Sequence, residues 1–273
     1  MSSECDAFRN PPVVGVAFAL VLTVGIAISY IPQHLKILHR RSSEGLSPLF
    51  LLLGTSSGIS AFANLILISS KSVYCCSNGG LTRFECLNGQ LGLLQVGTQA
   101  MFAAAILVLC VFFTRGSLLQ DKHEYAKIYK IYLFCIWYTV GHGVIILYVL
   151  FSNRPILYGV ADCFGILATA LASFQYFPQI YTIYKLKHPG SLSISMMCMQ
   201  TPGGFIWSAS LFMSPSAVWS SWLPYFTAAL LQGILLTMCV YYSRKFPEKL
   251  DEERREIDEA NERRGEQEPL LEP

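Results

Sequence analysis

Charge is what this sequence has least of. Only 14% of its 273 residues are Asp, Glu, Lys or Arg, against roughly 25% in a soluble globular domain. The charges it has are crowded at one end: residues 244–273 hold seven of the 20 Lys and Arg and 11 of the 18 Asp and Glu. A 243-residue body with so few charges would expose a large apolar surface in water, which excludes a soluble domain and leaves the bilayer as solvent. Enzyme signatures are missing too. There is no Walker loop, dinucleotide fingerprint, His-Glu-x-x-His or Gly-x-Ser-x-Gly, so no catalysis is expected and no cofactor is called for. Adjacent Cys75 and Cys76 lack the spacing of a zinc site. No basic stripe suggests nucleic acid, and no Asn-x-Ser/Thr acceptor is present.

What the chain does have is long apolar runs. Seven stretches, approximately 13–38, 46–69, 90–113, 129–151, 158–184, 192–213 and 222–242, reach the length that a hydrocarbon core about 30 Å thick requires. The expected fold is therefore an all-α polytopic membrane protein with seven transmembrane helices. The sixth stretch is the weakest, being interrupted by Pro202, Gly203 and Gly204. Basic residues alternate between connections: Lys36, Arg40 and Arg41, then Arg115, Lys122, Lys127 and Lys130, then Lys185 and Lys187, then the tail from Arg244, fall on one side. The other side has only Arg9, Lys71, Arg83 and Arg154. This alternation places the N-terminus in the lumen and the C-terminus in the cytosol. Cys5, Cys75, Cys76 and Cys86 then lie on the luminal side, where Cys86 can bridge to Cys75 or Cys76 across Asn78-Gly79-Gly80. The five cysteines inside spans read as packing residues.

Comparing the chain with itself gives an internal repeat. Ser29 to Ser47 aligns on Gln175 to Ser193 without a gap, at an offset of 146. The offset continues through Thr55 with Thr201, Gly58 with Gly204 and Ala63 with Ala209. The organisation that follows is a short luminal N-terminus (1–12), a triple-helix unit (13–113), a loop with linker helix 4 (114–157), a second triple-helix unit (158–243) and a charged tail (244–273). An odd linker makes the arrangement 3+1+3 with parallel repeats, an architecture used by transporters whose substrate sits between the halves. The tail has almost no apolar face and reads as a solvated, mobile segment, helical at most up to Gly265. Its end, Glu266 with Leu270-Leu271, looks like an acidic dileucine signal for cytosolic sorting adaptors.

Pro32 and Pro178 occupy equivalent places inside apolar helices. Each lacks an N–H, so the carbonyls of Ile28 and Phe174 lose their usual partners and the helix can hinge. Beside each proline, Gln33 and Gln179 offer an amide for the freed polar groups. Tyr30-Ile-Pro-Gln-His and Tyr176-Phe-Pro-Gln-Ile, followed by Leu46-Ser47 and Leu192-Ser193, resemble the PQ-loop repeat family. That family includes lysosomal and vacuolar exporters of cystine and of cationic amino acids, and its fold is related to that of the SWEET sugar transporters. The resemblance implies a transporter of a small polar solute, often proton-coupled and in a lysosomal or vacuolar membrane, with Pro32 and Pro178 as gating hinges. Gln33 and Gln179 would bridge moving helices. An amino acid is the leading substrate and sugar the alternative; a solute-sensing receptor or scaffold without transport is a second class of function. Two positions depart from the exporters. Where the cystine exporter has an Asp, this chain has Gln200, and Gly54-Thr55-Ser56-Ser57 offers no acid where the cationic exporters carry one.

The remaining candidates for a substrate or proton path are Asn64, Gln95, Gln99, Gln200 and Gln232, with Gln95 and Gln99 on one helix face. Asp162 is the only acid within a span and reads either as a helix-start cap or as a proton or substrate contact. His142, between Gly141 and Gly143, reads as a hydrogen-bonding residue allowing close packing, with proton transfer as the alternative.

Overall fold

The computed structural model describes residues 5, 8–78, 81–115, 117, 119–151, 154–212 and 219–267, and the regular structure among them is helical. The helices are α1 (Val13–Arg40), α2 (Pro48–Ser77), α3 (Arg83–Phe113), α4 (Lys122–Phe151), α5 (Leu157–Phe174), α6 (Tyr176–Leu186), α7 (Ile194–Phe212), α8 (Trp219–Lys245) and α9 (Pro247–Gln267). Six of them, taking α5 and α6 as one stretch and Phe226–Lys245 of α8, are long and apolar enough to cross a membrane. The chain is an all-helical polytopic membrane protein. The expected count of seven is not reached among the described residues, and α7 is the element that falls short. At 19 residues it would span about 28 Å, but Gln200, Pro202, Gly203 and Gly204 dilute its hydropathy.

The polarity of the helices is inverted relative to a protein in water. On α1 the exposed side chains Val14, Phe18, Val21, Val24, Ile28, Ile31 and Leu35 recur every three or four residues. That is an apolar stripe facing outward, as lipid contact demands. Side chains buried in α2 include Thr55, Ser56, Ser57 and Ser60, small hydroxyls that let helices approach and supply hydrogen bonds between them. Close approach repeats at equivalent glycines. A Cβ on Gly58 would stand 3.4 Å from Ala100 of α3, and one on Gly204 would stand 3.0 Å from Ala229 of α8.

By packing, the chain forms two compact units. One comprises residues 1–30, 53–104 and 133–172; the other comprises 31–52, 105–132 and 173–273. The first has an apolar core of Ala63, Leu67, Ile146, Val149, Ala161 and Phe164. Disulfides Cys5–Cys75 and Cys76–Cys86 lie in it, with Cα separations of 5.8 and 5.7 Å. The sequence left the partner of Cys86 open and gave Cys5 none; the structure pairs all four. Thr82 and Glu85 close the start of α3 as a capping box: the Glu85 carboxylate accepts the Thr82 N–H at 2.8 Å, and the Glu85 N–H donates to the Thr82 hydroxyl at 3.3 Å. The other Glu85 oxygen accepts the Asn10 N–H at 3.0 Å, tying down the N-terminal segment.

The second unit contains the tail. Expected to be solvated, the tail is helical over Pro247–Gln267, and Ile257 is buried. The reason is a narrow apolar edge, Leu250 and Ile257 one heptad apart, on an otherwise charged helix. Glu266 falls in this helix; Leu270 and Leu271 of the sorting signal lie outside the described residues.

Candidate functional site

The second unit contains both Pro-Gln sites, and their local backbone is alike in one respect and unlike in another. Each Pro-Gln helix ends on a non-glycine residue in the left-handed region, Arg41 at φ 48° and Lys187 at φ 62°. The N–H of each reaches back to the carbonyl four residues earlier, Arg41 to Ile37 at 2.8 Å and Lys187 to Ile183 at 2.9 Å. The prolines differ. Around Pro32, α1 runs unbroken, whereas helical structure is interrupted at Gln175, where the proline three residues on leaves the Phe174 carbonyl without its usual donor. The kink expected at both sites is thus a break at one.

Both glutamines are fully buried, Gln33 at 1% exposure and Gln179 at 0%. Their amides do not pair with their own helices. Gln33 donates from Nε2 to the Ser191 carbonyl at 2.8 Å and accepts the Ser193 N–H on Oε1 at 2.6 Å. Gln179 donates to the Gly45 carbonyl at 2.5 Å and accepts the Ser47 N–H at 2.8 Å. Residues 45 and 191, like 47 and 193, are related by the same offset of 146 that relates the glutamines. The two amides therefore form a reciprocal pair of clasps, each gripping the loop that starts the next helix in the opposite repeat. Ser193 is also a helix start, its hydroxyl accepting the Met196 N–H at 3.2 Å. Pro48 opens α2 directly after Ser47, where the missing N–H is harmless.

The gripped loops touch through glycine. Gly45 has φ +85° and Gly190 φ +53°, and a Cβ on Gly45 would lie 2.8 Å from the Gly190 Cα and 2.8 Å from the Pro189 carbonyl oxygen. Only paired glycines permit that approach. Around it, the Ser191 N–H donates to the Glu44 carbonyl at 2.6 Å, and the Ser191 hydroxyl donates to the Ser42 carbonyl. A third buried amide joins in: Gln120 accepts the Ser43 N–H at 2.7 Å and the Ser43 hydroxyl at 2.9 Å. Gln120 lies outside the repeat, so self-comparison could not find it.

The candidate path residues divide between the units. In the second, Gln232 donates to the Gln200 side-chain oxygen at 3.1 Å. In the first, Asn64 donates to the Ala161 carbonyl at 2.6 Å, its side chain filling the space left by Gly165. Ser57 of the same helix donates to the Ala168 carbonyl at 2.8 Å. His142 is buried, stacks on Phe164 at 4.5 Å and has Nδ1 2.9 Å from the Tyr138 carbonyl. A Cβ on either neighbouring glycine, Gly141 or Gly143, would meet nothing within 4 Å. Gln95 donates to the Ala19 carbonyl at 3.0 Å, while Gln99 is exposed. Asp162 is exposed as well and stands beyond the first turn of α5, which removes the helix-start cap as its explanation. Of the span cysteines, Cys110, Cys135 and Cys239 are buried, but Cys163 and Cys198 are exposed. No group of His, Cys, Asp and Glu among the described residues could hold a metal ion.

Helices of membrane length and a clasp built twice define a polytopic membrane protein made of two repeats. The family model for the PQ loop repeat matches residues 14–74 and 160–220, which are the segments carrying both clasps and the loops they grip. The chain carries two repeats of the PQ-loop family, whose members are typically membrane transporters. A protein of Schizosaccharomyces pombe, called uncharacterized, is 29% identical over 260 residues, covering 88% of this chain and 83% of the relative.

Proposed function

We propose that the protein is a secondary transporter moving a small polar metabolite, an amino acid as the leading class, across a lysosomal or vacuolar membrane by alternating access. The observation that carries this reading is the reciprocal clasp. Each repeat supplies the amide that holds the other's loop, so neither loop can swing away alone. Such mutual dependence makes an element with two discrete arrangements rather than a continuously deformable one, which alternating access needs. The break at Gln175 supplies a place where α6 can pivot with Gln179.

In this reading α7 is the sixth of seven spans, lying beside α8, and the arrangement is 3+1+3. Basic loops then lie on the cytosolic side and the two disulfides in the oxidising lumen, which supports the orientation from a second kind of chemistry. Gln200, paired with Gln232, stands where the cystine exporter has an Asp, and Gly54-Thr55-Ser56-Ser57 offers only neutral groups where the cationic exporters carry an acid. Neutral groups fit a zwitterionic or neutral polar solute better than a cation, with any proton coupling carried elsewhere.

The test is uptake of labelled amino acids and sugars into proteoliposomes, with and without a pH gradient. Saturable amino acid flux is expected. Sugar flux insensitive to pH would overturn the substrate class, and saturable binding without flux would favour a solute-sensing receptor.

A further inference from the structure

Inside the first unit, three helices meet at a polar chain that the clasps do not use. Ser60 of α2 is fully buried. Its hydroxyl oxygen lies 2.7 Å from the Tyr138 hydroxyl and 3.4 Å from Nε2 of His142, both on α4. The other ring nitrogen, Nδ1, is 2.9 Å from the Tyr138 carbonyl. A carbonyl can only accept, so Nδ1 carries the hydrogen and Nε2 of the neutral ring offers a lone pair. Ser60 donates to that lone pair, which leaves its oxygen to accept from the Tyr138 hydroxyl. The chain therefore points one way, from Tyr138, which is half-buried, to the buried imidazole. We propose that Tyr138, Ser60 and His142 form a proton site, taking up a proton at the Tyr138 hydroxyl and holding it on Nε2 of His142.

The transfer balances with a proton from water and nothing else. A proton arriving on the Tyr138 oxygen releases that hydroxyl's own proton to Ser60, and the Ser60 proton passes to Nε2. One N–H bond forms, and each hydroxyl ends with one proton, as it began. The bonds then run in reverse, Nε2–H donating to Ser60 and Ser60 to Tyr138, while Nδ1–H keeps the Tyr138 carbonyl. Both faces of the ring meet aromatic side chains, Phe164 of α5 at 4.5 Å and Tyr138 at 4.2 Å between centroids. Aromatic faces attract a cation, more strongly out of water, which offsets part of the cost of a charge at membrane depth.

Fixed charge around the ring is sparse. Helix α2 has no charged residue before Lys71, α3 has none after Glu85, and the charges of α4 end at Lys130, roughly three turns before His142. On α5, Asp162 is exposed and lies on the opposite side of the helix from Phe164. Cys163 of α5 is exposed too, and Cys135 of α4 is buried. Ser60 sits between Ser57 and Asn64, which hold the Ala168 and Ala161 carbonyls of α5. Reversing the chain thus alters the link from α2 to α4 while the links from α2 to α5 stay made, so a proton on His142 biases the arrangement of these helices. This consequence for turnover rests on the transporter reading; proton binding does not.

The test uses the full chain, with isotope-labelled histidine, in nanodiscs. Magnetic resonance of the imidazole nitrogens is followed on acidification, and His142→Gln identifies the signal. A reversible change from one protonated nitrogen to two on the His142 ring is expected. In proteoliposomes, uptake of labelled amino acids with a pH gradient is divided by uptake without one. His142→Gln should lose the stimulation by the gradient, whereas a merely structural histidine would lower both uptakes alike and keep their ratio. Tyr138→Phe and Ser60→Ala, which keep the ring and cut the chain, should lower the stimulated initial rate at least about tenfold, with the ring still gaining its proton at equilibrium. A ring that stays neutral on acidification overturns the proposal. So does stimulation that survives in His142→Gln or in both chain variants, or uptake by the unaltered chain that is indifferent to the gradient. Proton uptake by the ring without flux of any solute instead overturns the transporter reading and leaves the proton site standing.

Discussion

Gln33 satisfies both the Ser191 carbonyl and the Ser193 N–H, at 2.8 and 2.6 Å, and Gln179 does the same for Gly45 and Ser47. Replacing either by leucine keeps the volume but strands a donor and an acceptor in a buried loop, at about 1–3 kcal/mol for each group left unpaired. Gln33→Leu and Gln179→Leu should each lower the thermal midpoint of the purified protein. Because the gripped loops touch each other, the double variant should lose less than the sum of the two. Additive losses would mean the clasps act independently. The glycines give a sharper contrast. Gly45→Ala places a methyl group 2.8 Å from backbone at φ +85° and should destabilise by about 2 kcal/mol or more. Gly92→Ala, with nothing within 4 Å of its Cβ, should be neutral or stabilise by up to about 1 kcal/mol. Thermal unfolding of the two variants side by side measures that difference.

Among the elements, the two proline helices that look equivalent in sequence are not equivalent in structure. Unbroken α1 tolerates Pro32, whereas the helix at Pro178 divides into α5 and α6. Pro178→Ala should restore the N–H that Phe174 lacks and join α5 to α6. Pro32→Ala should change α1 little. Initial uptake normalised to folded protein is therefore expected to fall much more for Pro178→Ala; equal losses would return both prolines to the symmetric hinge role that the sequence suggests. Repetition was legible because it is a comparison of identities at one offset. What surrounds the repeat was not: Gln120 and Cys5 have no counterpart to be compared with, and the docked edge of α9 rests on two apolar residues in a charged helix. The Thr82-x-x-Glu85 capping box was open to reading, since its spacing is a known helix-start pattern. Asp162 shows the limit of the other kind of inference, because a helix boundary a few residues away decides whether an acid is a cap.

For the whole molecule, span count and sidedness are one question. Six crossings would leave the two ends on the same side of the membrane; seven leave them on opposite sides, and α7 decides between them. Hydropathy argues against α7, since Gln200, Pro202 and paired glycines weaken it. Packing argues for it: Gly204 admits Ala229 of α8 as closely as Gly58 admits Ala100 in the other repeat, and Gln200 finds an amide partner in Gln232. A helix whose polar groups are met by a neighbour needs less apolar surface of its own to sit in lipid. Seven crossings are therefore expected, with a tag at residue 1 in the lumen and a tag at residue 273 in the cytosol. In sealed vesicles of known orientation, protease should remove one tag and spare the other. The disulfides give an independent reading of the same membranes. Cys5, Cys75, Cys76 and Cys86 are all paired, so with the luminal side enclosed they should resist an impermeant reductant and yield to a permeant one, detected as a shift on alkylation with a polyethylene glycol maleimide. Both tags protected, or both cleaved, would take α7 out of the membrane and with it the parallel relation of the repeats.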